Sequence, residues 1–246
     1  MYNANEIPKI DGSLFYYGYE CPDFTPEKLL NILQSHGFFP SDYIRSPLLT
    51  NGRLRKMNDK FFLCIKNTFE DPNGEYLELI GAKSVPSDSY WEISWHPIKY
   101  SADGTVDRRW SIFSMKATYD LMEDSDFCQK FLNCYQELIT VLHPFYGTIE
   151  DIDFRVRLST NYHGSVVPMT YGKIRYVCWG NYFGSSYCKS YGLQRRFLKL
   201  RDKKHAPYIM KDIADGVFIM LTSSPMEYDS EECWKRRMNL VNNISV

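Results

Sequence analysis

The sequence has no CxxC pair, no HExxH or HxH arrangement, no GxSxG, no GxxxxGK and no GxGxxG. These absences remove the local signatures of structural zinc, zinc hydrolases, the nucleophile elbow, the P-loop and the dinucleotide-binding turn. Nor does any stretch approach the roughly 20 apolar residues that a membrane helix requires. The first residues, Met1-Tyr2-Asn3-Ala4-Asn5-Glu6, show no basic region followed by an apolar run. No secretory leader is therefore expected, and the chain reads as a cytoplasmic protein without a membrane partner. A surplus of one charge is missing too: Lys plus Arg is 29, Asp plus Glu is 30, and the net charge is -1. That argues against a globally basic nucleic-acid binder and against a strongly acidic polyanion mimic. There is no repeat at a fixed period and no low-complexity linker.

What remains is 246 residues, 44% hydrophobic and 24% charged, enough for one large domain or two small ones. The reading is a single domain over 1–246, with subdomains of about 1–123 and 124–246 as the alternative division. Aromatics make up 16%, with 19 Tyr and 15 Phe. Tyr suits half-buried sheet faces and also anchors protein interfaces. The seven cysteines are Cys21, Cys64, Cys128, Cys134, Cys178, Cys188 and Cys233. Their odd number and irregular spacing fit reduced thiols, most of them buried as small hydrophobes.

The pattern predicts an α+β fold, with antiparallel sheet and at least three packed helices, near 26–36, 126–142 and 230–242. Strands are expected over Leu14–Glu20, Phe61–Lys66, Glu75–Ile80, Tyr90–Trp95 and Trp110–Lys116, separated by turn signals such as Asp71-Pro72-Asn73-Gly74. Thr25-Pro26-Glu27 opens the first helix and Gly37 ends it. Ser125 or Asp126 is the expected cap of the long central helix, whose stripe is Phe127, Phe131, Cys134, Tyr135, Leu138 and Leu142. The region near 117–125 reads as a separator. Further strands are expected at Ile149–Leu158, Lys173–Cys178 and Asp215–Thr222, with a helix starting near Ser185. Asp229 and Glu232 resemble a capping box for the last helix, and Lys235-Arg236-Arg237 reads as its solvated face.

Candidate chemistry is sparse. The five histidines read as structural. Asp71 and Glu78 lack the ExK arrangement of a PD-(D/E)xK nuclease, because Leu79-Ile80 follows Glu78. Glu150, Asp151 and Asp153 form the best carboxylate cluster; on a strand, Asp151 and Asp153 share one face. They could hold Mg²⁺ weakly, or offer a negative patch to a basic partner. Between Lys173 and Lys204 stand nine basic residues: Lys173, Arg175, Lys189, Arg195, Arg196, Lys199, Arg201, Lys203 and Lys204. Tyr176, Trp179, Tyr182, Phe183, Tyr187 and Tyr191 are interleaved, mostly ahead of the basic run. Such a mixture could follow a single-stranded nucleic acid, meet an acidic protein, or combine an aromatic core with a solvated helix face. No nucleophile–base pair or metal set assembles from local motifs, so neither catalysis nor a cofactor is expected.

The C-terminal third adds a resemblance. It reads His143-Pro144-Phe145-Tyr146-Gly147, then Trp179-Gly180-Asn181-Tyr182-Phe183-Gly184 and Tyr191-Gly192-Leu193. Ala206-Pro207, Asp215-Gly216-Val217-Phe218-Ile219-Met220-Leu221 and Ser224-Pro225 follow, before a closing helix. Over residues 140–245 this order resembles bacterial immunity proteins of polymorphic-toxin and type VI secretion systems, the immunity protein 52 group and the related type VI immunity family. The resemblance implies a protein that binds a cognate toxin in the cytoplasm and blocks it; related families often face nuclease toxins. Trp179, Gly180, Gly216 and Pro225 read as fold determinants rather than toxin contacts. The binding rim is placed at Glu150, Asp151 and Asp153 on one side and Arg195, Arg196 and Lys199 on the other. A nucleic-acid binder using 173–204, or an unrecognised enzyme using the carboxylates, remains the alternative.

Overall fold

The computed structural model describes residues 8–16, 26–46, 55–56, 76–82, 89–96, 111–161, 169–170, 173–174, 177–200 and 205–244. The expected strand Phe61–Lys66, together with Cys21, Cys64 and Tyr176, lies outside these residues. The chain divides into two units, residues 13–144 and residues 1–12 with 145–246. The fold is α+β, as the alternation of strand and helix patterns predicts.

The unit over 13–144 contains the later residues of β1 (Lys9–Tyr16), then α1 (Pro26–Ser35), β2 (Asp42–Ser46), β3 (Arg55–Lys56), β4 (Tyr76–Ala82), β5 (Tyr90–His96) and β6 (Ser111–Thr118). Two helices follow, α2 (Tyr119–Glu123) and α3 (Ser125–Leu142). The order β6-β5-β4-β2-β3 is a run of antiparallel neighbours, with Trp91 opposite Ala117 and Trp95 opposite Phe113. This is the meander that closely spaced strands and turn residues predict. Phe38 stands edge-on to Trp91 at 5.2 Å and to Phe127 at 5.5 Å, so the end of α1 and the start of α3 share one aromatic cluster.

Three local details differ from the sequence reading. The first strand begins at Lys9 rather than at Leu14, and residues 17–20 of the expected strand lie outside the described residues. The separator at 117–125 is instead the end of β6 and the short helix α2, which buries Leu121 and Met122. Asp124, not Ser125 or Asp126, caps α3: its carboxylate accepts from Asp126 N at 2.9 Å and Phe127 N at 3.2 Å. At its other end α3 stops on His143, in the left-handed region at φ 44°, ahead of Pro144.

The second unit contains β7 (Tyr146–Asp151), α4 (Ile152–Asn161), β8 (Met169–Thr170), β9 (Lys173–Ile174), β10 (Gly180–Phe183), α5 (Ser185–Ser190), α6 (Leu193–Leu200), β11 (Ile209–Ile213), β12 (Gly216–Met220) and α7 (Glu231–Ile244). A single 3-10 turn, Pro225–Glu227, precedes α7. The order β11-β12-β10-β7 is antiparallel throughout, and among the described residues β8 pairs with β9 alone. Gly180 lies opposite both Ile149 and Met220, so β10 is an inner strand, and every one of its residues is buried.

Here too the structure corrects the reading. Ile149–Leu158 is not one strand: β7 ends at Asp151, whose Oδ1 accepts from Phe154 N at 2.6 Å and starts α4. Of the expected strand Lys173–Cys178, Lys173–Ile174 is strand and Val177 and Cys178 are not, residues 175–176 lie outside the described residues, and a longer strand begins at Gly180. The last helix is capped by Ser230, whose hydroxyl accepts from Cys233 N at 3.1 Å, one residue after the expected Asp229. All five described cysteines (Cys128, Cys134, Cys178, Cys188 and Cys233) are unpaired and buried.

Candidate protein-binding surface

The carboxylates that sequence reasoning placed on a surface rim are mostly inside. All six residues of β7 are buried, so the alternation of inner and outer faces does not apply to it. Glu150 is fully buried and accepts three hydrogen bonds: from Arg237 Nη2 at 2.6 Å, Trp179 N at 2.9 Å and Asp151 N at 3.2 Å. Burial pushes its carboxyl up to about 7, against the opposing pull of Arg237 and of the two backbone donors. Asp151 is buried at the start of α4, four residues ahead of Arg155, which pairs with Asp11. Asp153 alone is exposed, in the first turn of α4. Glu150 and Asp151 are therefore structural and offer no negative patch to a partner.

Arg237 is the residue that the charge-run reading misplaced. It is only 2% exposed, with its guanidinium 4.5 Å above the Phe154 ring. Among the described residues its Nε and Nη1 have no hydrogen-bond partner. Lys235 and Arg236 do face solvent wholly or partly, paired one turn back with Glu231 at 2.6 Å and Glu232 at 2.7 Å. A signal for Arg237 exists in the sequence: Cys233, Arg237, Leu240 and Ile244 fall at the helical spacing of a buried stripe.

The basic and aromatic stretch separates into layers. Trp179, Tyr182, Phe183 and Tyr187 are buried, and Trp179 Nε1 donates to Thr222 Oγ1 at 2.7 Å. Tyr187 stacks on Tyr146 at 5.5 Å, and Phe183 packs on Phe197 at 5.4 Å. These rings form core rather than a platform for bases. On α6, Leu193, Phe197 and Leu200 point inward while Arg195 and Lys199 are exposed, one turn apart. Arg196 is half-buried and donates through Nη1 to Ile244 O at 3.3 Å, at the C-terminal end of α7 where the helix dipole favours a cation. Of the three basic candidates, two remain on the surface and one is a helix-end tie.

The surface feature with shape lies beside them. A groove of about 470 Å³ runs between α6 and the β11–β12 hairpin, lined by Phe197, Leu198, Met210 and Val217 with Asp212 and Asp215 at its side. Leu198 is 63% exposed, more than a helix in a closed core allows. Arg195 and Lys199 do not line this groove. Asp215 accepts from the Tyr182 hydroxyl at 3.1 Å, and burial, with the Asp215 charge beside it, holds the Tyr182 phenol above its ordinary range. The hairpin tip is tight: Ala214 sits at φ 52°, a conformation costly for a residue with a Cβ. Gly216 is required by contact, since a Cβ there would lie 2.4 Å from Phe183 O and 2.6 Å from Tyr182 Oη. Sequence reasoning assigned Gly216 to the fold and missed Leu198, Met210, Asp212 and Asp215.

Among the described residues no helix is long and apolar enough to cross a membrane, and no group of three or more His, Cys, Asp or Glu gathers as a metal site. No protein-family model matches the chain, and no curated protein matches it by sequence. A solved structure does share the fold: the Pseudomonas aeruginosa T6SS protein PA0821, with a TM-score of 0.61 and 12% identity. The match covers 96% of this chain and 73% of that one. At that identity the likeness is one of fold.

Proposed function

We propose that the chain is an immunity protein, which binds a cognate bacterial toxin in the cytoplasm and neutralises it without catalysis of its own. The observation that carries this reading is the fold held in common with a T6SS protein along nearly the whole chain. The C-terminal sequence pattern points the same way. The geometry favours binding over turnover: Glu150 and Asp151 are committed to Arg237, Trp179 and the start of α4. The alternative of a single-stranded nucleic-acid binder loses its stacking platform, because Trp179, Tyr182, Phe183 and Tyr187 are core residues.

On this reading the toxin meets a preformed surface, and the exposed pair Arg195 and Lys199 steers the encounter. The test is co-expression of the full chain with the product of the adjacent gene. A stable one-to-one complex, with rescue of cells from that product, is the expected result. Failure to co-purify, with no protection, would sink the proposal. Metal-dependent turnover abolished by Asp151→Asn would favour the enzyme alternative instead.

A further inference from the structure

We infer that the outer edge of β11 and the groove beside it form a strand-addition site for an extended protein segment that carries an aliphatic side chain and, two residues on, a Lys or Arg. The proposal rests on the reading of the chain as a toxin-binding protein and locates the surface for it.

Ile213 and Gly216 face each other across a two-residue turn, and Lys211 faces Phe218. In a hairpin of this kind the pair that closes the turn exchanges both backbone hydrogen bonds, and so does every second pair beyond it. Ile213, Lys211 and Ile209 thus bond inward to β12. Met210 and Asp212 belong to the intervening pairs, so their N–H and C=O groups point away from β12. Among the described residues β11 ends the strand order, and nothing lies beyond it in the sheet. An extended segment can satisfy those four backbone groups.

The same two residues turn their side chains into the groove. Groove-facing side chains of an added strand recur at every second residue. One would lie against Leu198 and Met210, which ask for an aliphatic group. The next, nearer the hairpin tip, would meet Asp212 and Asp215, which ask for a cation. Asp212 has no ion pair among the described residues, and the groove's lining includes no basic residue. The left-handed Ala214 at the tip is a strained position of the kind that functional loops retain.

The test uses the full chain and a fluorescent peptide probe, Ser-Thr-Leu-Thr-Arg-Thr-Ser, read by polarisation. Saturable binding is expected. It should weaken at least about tenfold when the peptide Arg becomes Glu, when alternate peptide nitrogens are methylated, or when the protein carries Asp212→Asn with Asp215→Asn. Met210→Pro should also weaken it, since it removes an outward donor together with the Met210 side chain that lines the groove, and proline is tolerated at a strand edge. Unchanged melting temperatures will show that the variants fold. No saturable binding, or equal binding of the Glu or methylated peptide, would overturn the site. The adjacent gene product separates this inference from the reading beneath it. If that product co-purifies equally with the wild type, Met210→Pro and the double Asn variant, the immunity reading stands and this edge is wrong. If it fails to co-purify while the probe binds as described, the edge stands and the toxin reading falls.

Discussion

Arg237 reaches Glu150 across 87 positions of sequence, and the two meet at 2.6 Å with both side chains buried. The contact ties the middle of α7 to the end of β7. The carboxylate also accepts from Trp179 N just ahead of β10, so three segments of the second unit converge on one residue.

Breaking that pair from one side should be costly. Arg237→Met leaves a buried carboxylate facing no cation, and the expected loss is about 3–5 kcal/mol. Combining it with Glu150→Gln removes the charge and keeps one amide oxygen as the acceptor for Trp179 N. The double variant should unfold at a higher urea concentration than Arg237→Met alone. Equal midpoints would show that the charge pairing is not what matters there.

The Glu150 carboxyl also sets a pH dependence. Its ordinary value is 4.5 and burial raises it to about 7. Between those values the folded chain holds a proton that the unfolded chain has lost. This group's contribution to stability is therefore full below pH 4.5, falls as pH climbs to 7, and is flat above. Glu150→Gln should remove that component of the slope. Urea unfolding of both proteins at several pH values provides the comparison, and a wild-type slope no steeper than that of the variant would contradict it.

Trp179 is a core residue with one polar tie. Trp179→Ala should cost about 3–5 kcal/mol and lower the melting temperature markedly. Thr222→Val removes only the acceptor for Nε1 and leaves that donor buried, at a cost of about 1–3 kcal/mol. A Trp179→Ala protein that keeps its melting temperature but loses its partner would instead place this residue in the binding surface.

At the hairpin tip, neighbouring positions should respond in opposite directions. Ala214→Gly relieves a left-handed conformation and should stabilise by roughly 1 kcal/mol. Gly216→Ala drives a methyl group onto Phe183 O and Tyr182 Oη and should destabilise. Thermal melts of the two variants shifting the same way would refute the geometry of the turn.

Much of the fold was legible because periodicity records it. The stripe of α3, the antiparallel run from β4 to β6 and the apolar strand β12 all lie within a residue or two of their expected places. The failures share one cause. A strand buried on both faces loses its alternation, so Glu150-Asp151-Ile152-Asp153 looked like a solvated strand start when it is the end of an inner strand and the first turn of a helix. Arg237 was hidden for a related reason. In a charge run its neighbours Lys235 and Arg236 are solvated, and only its phase relative to Cys233 and Leu240 separates it from them. The groove was not legible at all, since Leu198 and Met210 are brought together by tertiary structure.

The buried thiols give the molecule a built-in clock. Burial pushes Cys128 up to about 11, and Cys188 and Cys233 up to about 12, so at neutral pH almost none of the reactive thiolate exists in the folded chain. Alkylation at these sites must wait for the structure around each one to open. Cys128 sits in α3 and reports on the first unit; Cys188 in α5 and Cys233 in α7 report on the second. Mass-resolved labelling of the unmodified protein would thus time the opening of each unit separately, with no probe introduced.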